Sequence, residues 1–413
     1  MSDIVPQEVA KWQHIEDVSR RIFKRYNFKE IRTPIVESLG LFQRSIGQET
    51  DIVQKEMFQF QDRGGRDLVL RPEFTASVVR AYIQNQLKEG KLYYMGPSFR
   101  AERPQAGRYR QFHQIGAEFL GAKGAEDDVA LLTLMMDLIE GLGVQKHKLE
   151  INTLGCKQSR EAFQKKLRDY LSKYESKLSE DSKRRLQSNV IRVLDSKDEK
   201  DQKIIAEAPT VLDSLSEDSL EHFNQVQEQL KQRNIPFTVN PRIVRGLDYY
   251  NDVVFEIVHP ELGAQSAIGA GGRYDGLIGE LGGHKGTGAC GFALGFERML
   301  MALDGEGYFS QNKSSQKSNL VYVCVLGENS EIDEEALKIQ TLLRQNDFSV
   351  EEISSDRKAI KKHFQIADRL GAAFVIVIGE DEIKQNQLSV KQMETGNQEM
   401  VDRAEIVNYL KGK

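Results

Sequence analysis

Between Tyr94 and Leu120 the chain reads YMGPSFRAERPQAGRYRQFHQIGAEFL. A strand pattern closes near Phe99, a polar loop holds Pro104 and Gly107, and a second strand pattern runs from Tyr109 to Phe119. Two extended runs joined by such a loop predict a hairpin. Side chains alternate across a strand, so Arg110, Phe112, Gln114, Gly116 and Glu118 share one face, and Gln114 points the same way as Glu118. That face is polar where a packed strand is apolar. With four arginines gathered here, Arg100, Arg103, Arg108 and Arg110, the hairpin is either a solvated edge or a binding surface.

The rest of the chain bears on that choice. At 413 residues it is long enough for two or three domains, and no apolar run approaches the roughly 18 to 20 residues that span a bilayer. The net charge of −5 argues against indiscriminate coating of nucleic acid and leaves room for a local basic surface. Cys156, Cys290 and Cys324 are far apart, so neither a disulfide framework nor a zinc knuckle is indicated, and a reducing cytoplasm fits best. The seven histidines show no metal-ligand spacing, and His113, opposite the Gln114 face, reads as structural.

Val9, Trp12, Ile15, Val18, Ile22 and Tyr26 recur at helical spacing behind Pro6 and predict an amphipathic helix. Residues Glu30 to Ser38 read as a strand interrupted by Pro34, which belongs at a sheet edge where a second subunit can dock. EMFQF and DLVL read as strands joined by the turn Asp62–Gly65, and Thr75 reads as a possible cap of a helix starting near Ala76. Beside it Arg71 and Glu73 stand at a strand end, where binding groups tend to collect. An apolar helix from Asp127 to Leu142 reads as core. From Cys156 to about Ile235 the pattern turns helical and charged. Lys157 to Lys203 holds fourteen basic and nine acidic residues, which reads as a solvated face of an inserted module. Strand and glycine-rich patterns resume from Arg242 to Leu303, and LDGEGYFSQNKSSQKSN reads as a linker. LVYVCVL and AFVIVIG, alternating with helical patterns, predict a final α/β domain with a mainly parallel sheet.

There is no G-x-x-x-x-G-K-[ST] and no G-x-G-x-x-G between a strand and a helix. A phosphate would have to be gripped by arginines, whose guanidinium is always charged and can bond bidentately.

TPIVE at Thr33–Glu37, FRAE at Phe99–Glu102 and GFERM at Gly295–Met299 resemble the class II aminoacyl-tRNA synthetases. ERPQAGRYRQFHQ at Glu102–Gln114, RGLDYYN at Arg245–Asn251 and AGGRYDGL at Ala270–Leu277 narrow the resemblance to the histidyl-tRNA synthetase family. It covers nearly the whole chain. It implies an α+β catalytic domain with an antiparallel sheet flanked by helices, in two parts (1–156 and 237–303) around a helical insertion (157–236). A linker (304–319) and a C-terminal α/β anticodon-binding domain (320–413) complete the expected plan.

The resemblance further implies activation of L-histidine by ATP to histidyl-adenylate, with Mg2+ accompanying ATP, then transfer to the 3′ end of tRNA(His) by a cytoplasmic homodimer. Arg100 and Arg245 would face the α-phosphate as the catalytic pair. Glu102 would take the adenine amino group, and Arg108 and Arg298 the outer phosphates. Glu73, Thr75 and Gln114 would receive the histidine ammonium, Glu118 and Tyr250 the imidazole, and Tyr249 would line the site. Arg103 and Gln105 would reach toward the tRNA acceptor end. Phe74 stands where bacterial relatives commonly have glycine, and an extended segment would turn its ring away from the Glu73 and Thr75 side chains. The competing reading is a catalytically silent synthetase-like regulatory or sensor protein.

Overall fold

Pro6 opens the first helix, Pro6–Arg25, at a position where its missing N–H costs nothing. In the computed structural model, which describes residues 3–47, 50–243, 247–312, 319–351 and 360–413, this helix buries Ile15, Val18, Ile22 and Phe23 against the apolar helix Ala125–Leu142. Burial of each such side chain contributes about 1.5–3 kcal/mol. The helix ends where Asn27 turns left-handed at φ 60°. Trp12 stacks on Phe296, ring centroids 4.1 Å apart, and meets His113 edge-on at 4.8 Å.

Two compact units divide the chain near Phe309. In the first, an eight-stranded sheet runs in the order Lys29–Glu30, Lys91–Phe99, Gln111–Leu120, Ala289–Gly295, Ala267–Arg273, Asn251–Val258, Lys148–Thr153, Phe237–Val239. All its neighbours pair antiparallel except the two outermost pairs. The hairpin is therefore internal to the sheet, flanked on its return strand by Ala289–Gly295 with Gly291 opposite Glu118. Ile115, Ala117, Phe292 and Leu294 face the large core under helix Ala125–Leu142, while Leu92 and Tyr94 belong to a second cluster with Phe74, Val78 and Tyr250. The site lies on that second face.

The Pro34 segment departs from expectation. It forms two short strands, Lys29–Glu30 in the large sheet and Val36–Ser38 in a separate three-stranded sheet with Asp67–Leu70 and Gln59–Gln61. Pro34 lies in the crossing, and buried Arg71 holds that crossing by donating to the carbonyls of Thr33 (2.8 Å), Pro34 (3.3 Å) and Pro97 (2.9 Å). Burial pulls the Arg71 guanidinium down to about 10.

Helices Lys157–Leu171, Glu180–Ser188 and Glu199–Ala206 enclose a cluster of their own that includes Phe163, Leu167, Leu186, Val193 and Ile205. Asp201 ties this module together by accepting from the hydroxyls of Ser179, Ser182 and Ser196 at 2.6 Å each. Helix Glu217–Gln232 instead turns Phe223, Val226 and Leu230 into the large core.

The linker reading fails for its first part. Phe296–Gly305 continues as helix, Tyr308–Gln311 forms another turn, and Tyr308 and Phe309 pack on the large core. Glu306 receives the backbone N–H groups of Gln145 (2.8 Å) and Lys146 (2.7 Å). Residues 313–318 of that stretch lie outside the described residues.

In the second unit the strand order is Ser349–Glu351, Leu320–Val325, Phe374–Ile378, Gln387–Gln392, Gln398–Asp402. The first three strands are parallel as predicted, but the last two add an antiparallel ribbon, so the sheet is mixed. Among the described residues no helix is long and apolar enough to cross a membrane.

Candidate active site

A cavity of about 540 Å³ opens on the hairpin's polar face. Glu73, Thr75, Arg100, Glu102, Arg108, Gln114, Tyr249, Tyr250 and Arg298, drawn from four separate stretches of sequence, all reach its wall. The two ends differ in charge.

At the acidic end, helix Thr75–Gln84 begins with Phe74 as its capping residue, and Glu73 does the capping chemistry. Its carboxylate accepts the backbone N–H groups of Thr75 (2.6 Å) and Ala76 (2.9 Å), where the helix dipole also favours negative charge. Thr75 is thus inside the helix and its hydroxyl is available elsewhere: it donates to Glu118 at 2.7 Å. Glu118 also accepts from Tyr94 Oη at 3.3 Å and from Tyr274 Oη. At 1% exposure, burial raises the Glu118 carboxyl to about 8, against the three hydroxyl bonds that stabilise its ionised form. Burial raises Glu73 as well, opposed by its two backbone donors.

Glu118 sits just behind the cavity wall, beneath Thr75 and Tyr94, and does not itself line it. Tyr249 and Tyr250, with centroids 4.6 Å apart, form an aromatic wall, and Tyr274 packs behind it 5.6 Å from the Tyr249 ring. Gln114 accepts from buried Ser98 at 3.0 Å, which fixes its amide orientation.

Phe74 is not extended. Its backbone is α-like (φ −100°, ψ −33°), yet its ring packs as expected, stacked on Tyr94 at 4.2 Å and covered by the Arg71 guanidinium at 3.7 Å. One edge of it still reaches the cavity wall.

At the basic end Arg100 donates to the Pro72 carbonyl (3.1 Å) and lies 5.3 Å from the Phe112 ring centroid. Arg108 bonds Glu102 at 3.1 Å. Arg298, at the start of helix Phe296–Gly305, donates to the carbonyls of Gly107 (3.0 Å) and Ala267 (2.6 Å), tying the hairpin loop to the start of strand Ala267–Arg273. Burial lowers its pKa, and the nearby Arg108 and Arg100 charges lower it further. The Glu102 and Glu256 carboxylates partly offset that repulsion. Arg103 and Gln105 are exposed on the loop, away from the cavity, and Gln105 exchanges backbone bonds with Arg108. Arg245 lies outside the described residues.

Tyr94 and Tyr274 were missed by the sequence reading, although Tyr94 shares the Glu118 face across the hairpin and Tyr274 lies within AGGRYDGL. Arg185, Arg192 and Lys197 of the helical module also reach the cavity, which the charge pattern alone could not show.

Residues 1–299 match the family model of histidyl-tRNA synthetase, and residues 320–413 match that of the anticodon binding domain. The chain is 46% identical over 403 residues to the histidine–tRNA ligase of Lactococcus lactis subsp. cremoris (strain SK11), covering 96% of this chain and 92% of the relative. It is 44% identical to that of Anoxybacillus flavithermus, covering 99% and 97%. The apo S. aureus histidyl-tRNA synthetase superposes with a TM-score of 0.81 at 34% identity, over 100% of this chain and 98% of that one. An ATP phosphoribosyltransferase regulatory subunit/histidyl-tRNA synthetase from Bacillus halodurans C shares the fold at 20% identity (TM-score 0.65, covering 92% and 97%). With a cavity acidic at one end and arginine-rich at the other, and with likeness of this extent, the chain belongs to the histidyl-tRNA synthetase family.

Proposed function

We infer that the chain is an ATP-dependent histidine–tRNA ligase and that both half-reactions take place in the hairpin cavity. The observation that carries the assignment to this cavity is its polarity. An acidic, tyrosine-walled end and a three-arginine end share one space, as a substrate pair of a cationic amino acid and a triphosphate requires.

In the first step the histidine carboxylate attacks the α-phosphorus and the bond to the pyrophosphate oxygen breaks. In the second, the terminal ribose hydroxyl of tRNA attacks the activated carbonyl and AMP leaves. Arg100, with Arg245, holds the α-phosphate where negative charge grows; Arg108 and Arg298 hold the outer phosphates, and Glu102 takes the adenine amino group. Cations fixed in advance by the Pro72, Gly107 and Ala267 carbonyls stabilise that charge without reorganising. Mg2+ enters as part of the ATP substrate, held by phosphate and water.

Glu73, Thr75 and Gln114 receive the ammonium, Tyr250 and Glu118 the imidazole, and Tyr249 lines the wall. A carboxyl at about 8 beside an imidazole near 6.5 keeps one proton between the two at neutral pH, so the deep pocket gains no net charge on filling. Apolar analogues offer no partner to the polar groups set for the imidazole, which favours their rejection.

Arg103 and Gln105, exposed on the loop, extend toward the acceptor end of tRNA(His), and residues 320–413 read the anticodon. The module at 157–236 interrupts the catalytic domain, whose two parts are 1–156 and 237–303. Exposed Ile35, Val36 and Phe60 beside the Pro34 crossing support a homodimer through that surface. The setting is the cytoplasm.

Histidine-dependent exchange of labelled pyrophosphate into ATP tests the reading. No exchange, with histidine still bound, would favour the silent sensor or regulatory alternative.

A further inference from the structure

The tyrosine wall is held from behind by the helical module. Arg160, in the first turn of helix Lys157–Leu171, donates through Nη1 to the carbonyl of Asp248 (3.4 Å) and through Nη2 to that of Tyr250. The Asp248 carboxylate accepts from Arg192 and Asn189 of the same module, each at 3.4 Å. On its other side the loop backs onto helix Leu39–Ile46: Asp248 donates its N–H to the Ile46 carbonyl (3.2 Å), and a Cβ at Gly47 would overlap the Asp248 carboxylate.

Just beyond the tyrosines, Asp252 sits at φ 45°, a left-handed conformation a non-glycine residue seldom adopts. Both stems of the module grip it there. Leu154 N–H donates to the Asp252 carbonyl (2.7 Å), Asp252 N–H to the Gly155 carbonyl (3.2 Å), and Ser219 Oγ to the Asp252 carboxylate (3.2 Å). Arg192 also reaches the cavity, whereas Arg160, Asp248, Asp252 and Ser219 lie behind its wall. The common effect of these contacts is to set the path of residues 248–252, and with it the placement of the Tyr249 and Tyr250 rings.

We propose that Arg160 is a positioning residue for histidine: by bridging the Asp248 and Tyr250 carbonyls it makes the helical module the outer brace of the amino-acid pocket. This rests on the reading of the cavity given above. A guanidinium suits the task because its fixed fork spans two acceptors at once. Lysine can reach one carbonyl and not both.

The test is steady-state pyrophosphate exchange by the full-length chain carrying Arg160→Ala, Arg160→Lys or Glu118→Gln, with circular dichroism and melting temperature as folding checks. R160A is expected to raise the KM for histidine about tenfold, the scale of a lost charged hydrogen bond, while the KM for ATP and kcat change less than threefold. R160K should recover part of the loss. An unchanged histidine KM in folded R160A, or equal rises for histidine and ATP, overturns the proposal. Should R160A not fold, R160K alone decides between a histidine-selective rise and none. If E118Q raises the histidine KM and neither Arg160 variant does, the brace fails and the pocket stands. If E118Q too leaves the histidine KM unchanged, the pocket reading fails and takes the brace with it.

Discussion

Gly291 lies directly beneath the carboxylate of Glu118: a Cβ built on Gly291 would overlap Glu118 Oε2 and stand 2.9 Å from the Ala117 carbonyl oxygen. The two residues face each other across the antiparallel pair Gln111–Leu120 and Ala289–Gly295. The missing side chain is therefore what lets an ionisable carboxyl settle into the middle of a sheet. Gly291→Ala should push the carboxylate off its three hydroxyl donors and lower histidine-dependent exchange by about a hundredfold or more, a loss of roughly 3 kcal/mol. Kinetics at saturating ATP check this, and near-wild-type activity would contradict the placement of the pocket.

Glu118 also predicts a pH dependence of stability. Its folded pKa of about 8 stands above the ordinary carboxyl value near 4.3. Between those values the unfolded chain releases a proton that the folded chain keeps, so stability falls as pH rises through the window and levels off above about 8. Glu118→Gln removes the titration. Melting of the ligand-free proteins from pH 5 to 9 should show the variant gaining on the wild type up to about pH 8, by on the order of a few kcal/mol. A gap that does not vary with pH would argue against a buried, titrating Glu118.

Phe74 is a packing residue held between Tyr94 and Arg71. Phe74→Ala should cost about 3–5 kcal/mol, the range for emptying a buried phenyl site. Denaturant unfolding measures it, and a loss below about 1 kcal/mol would mean the stack collapses around the gap.

Arg100→Ala should leave histidine binding nearly intact while slowing adenylate formation by about 10² to 10³, the scale for one preorganised electrostatic group. Single-turnover formation of the adenylate is the measurement. An unchanged rate would remove Arg100 from the reacting phosphate.

The hairpin was legible because alternation is a local rule: the shared face of Gln114 and Glu118 follows from spacing alone, and the eight-stranded sheet preserves it. Other features were decided by partners far along the chain. Pro34 reads as a flaw in one strand, but Arg71, from beyond the next two strands, gathers the Thr33, Pro34 and Pro97 carbonyls and turns the flaw into a crossing between sheets. Thr75 has the chemistry of a cap, yet Glu73 reaches the helix N–H groups first and releases the threonine hydroxyl to Glu118. QLSVKQ and QEMVD are too polar to announce strands and become so only by adding to the edge of Phe374–Ile378. Arg160 and Arg192 looked like surface charge because their acceptors lie 88 and 56 positions away.

The stack of Trp12 on Phe296 carries one more consequence. It is the chain's single tryptophan, and it touches His113, next to Gln114 on the return strand, and Phe296, two residues before Arg298. Its indole thus lies on the reverse of the sheet from the cavity, against the backbone neighbours of a residue at each end of it. The intrinsic fluorescence of the protein consequently has one tryptophan source, and that source is a built-in optical gauge of the cavity floor that needs no label.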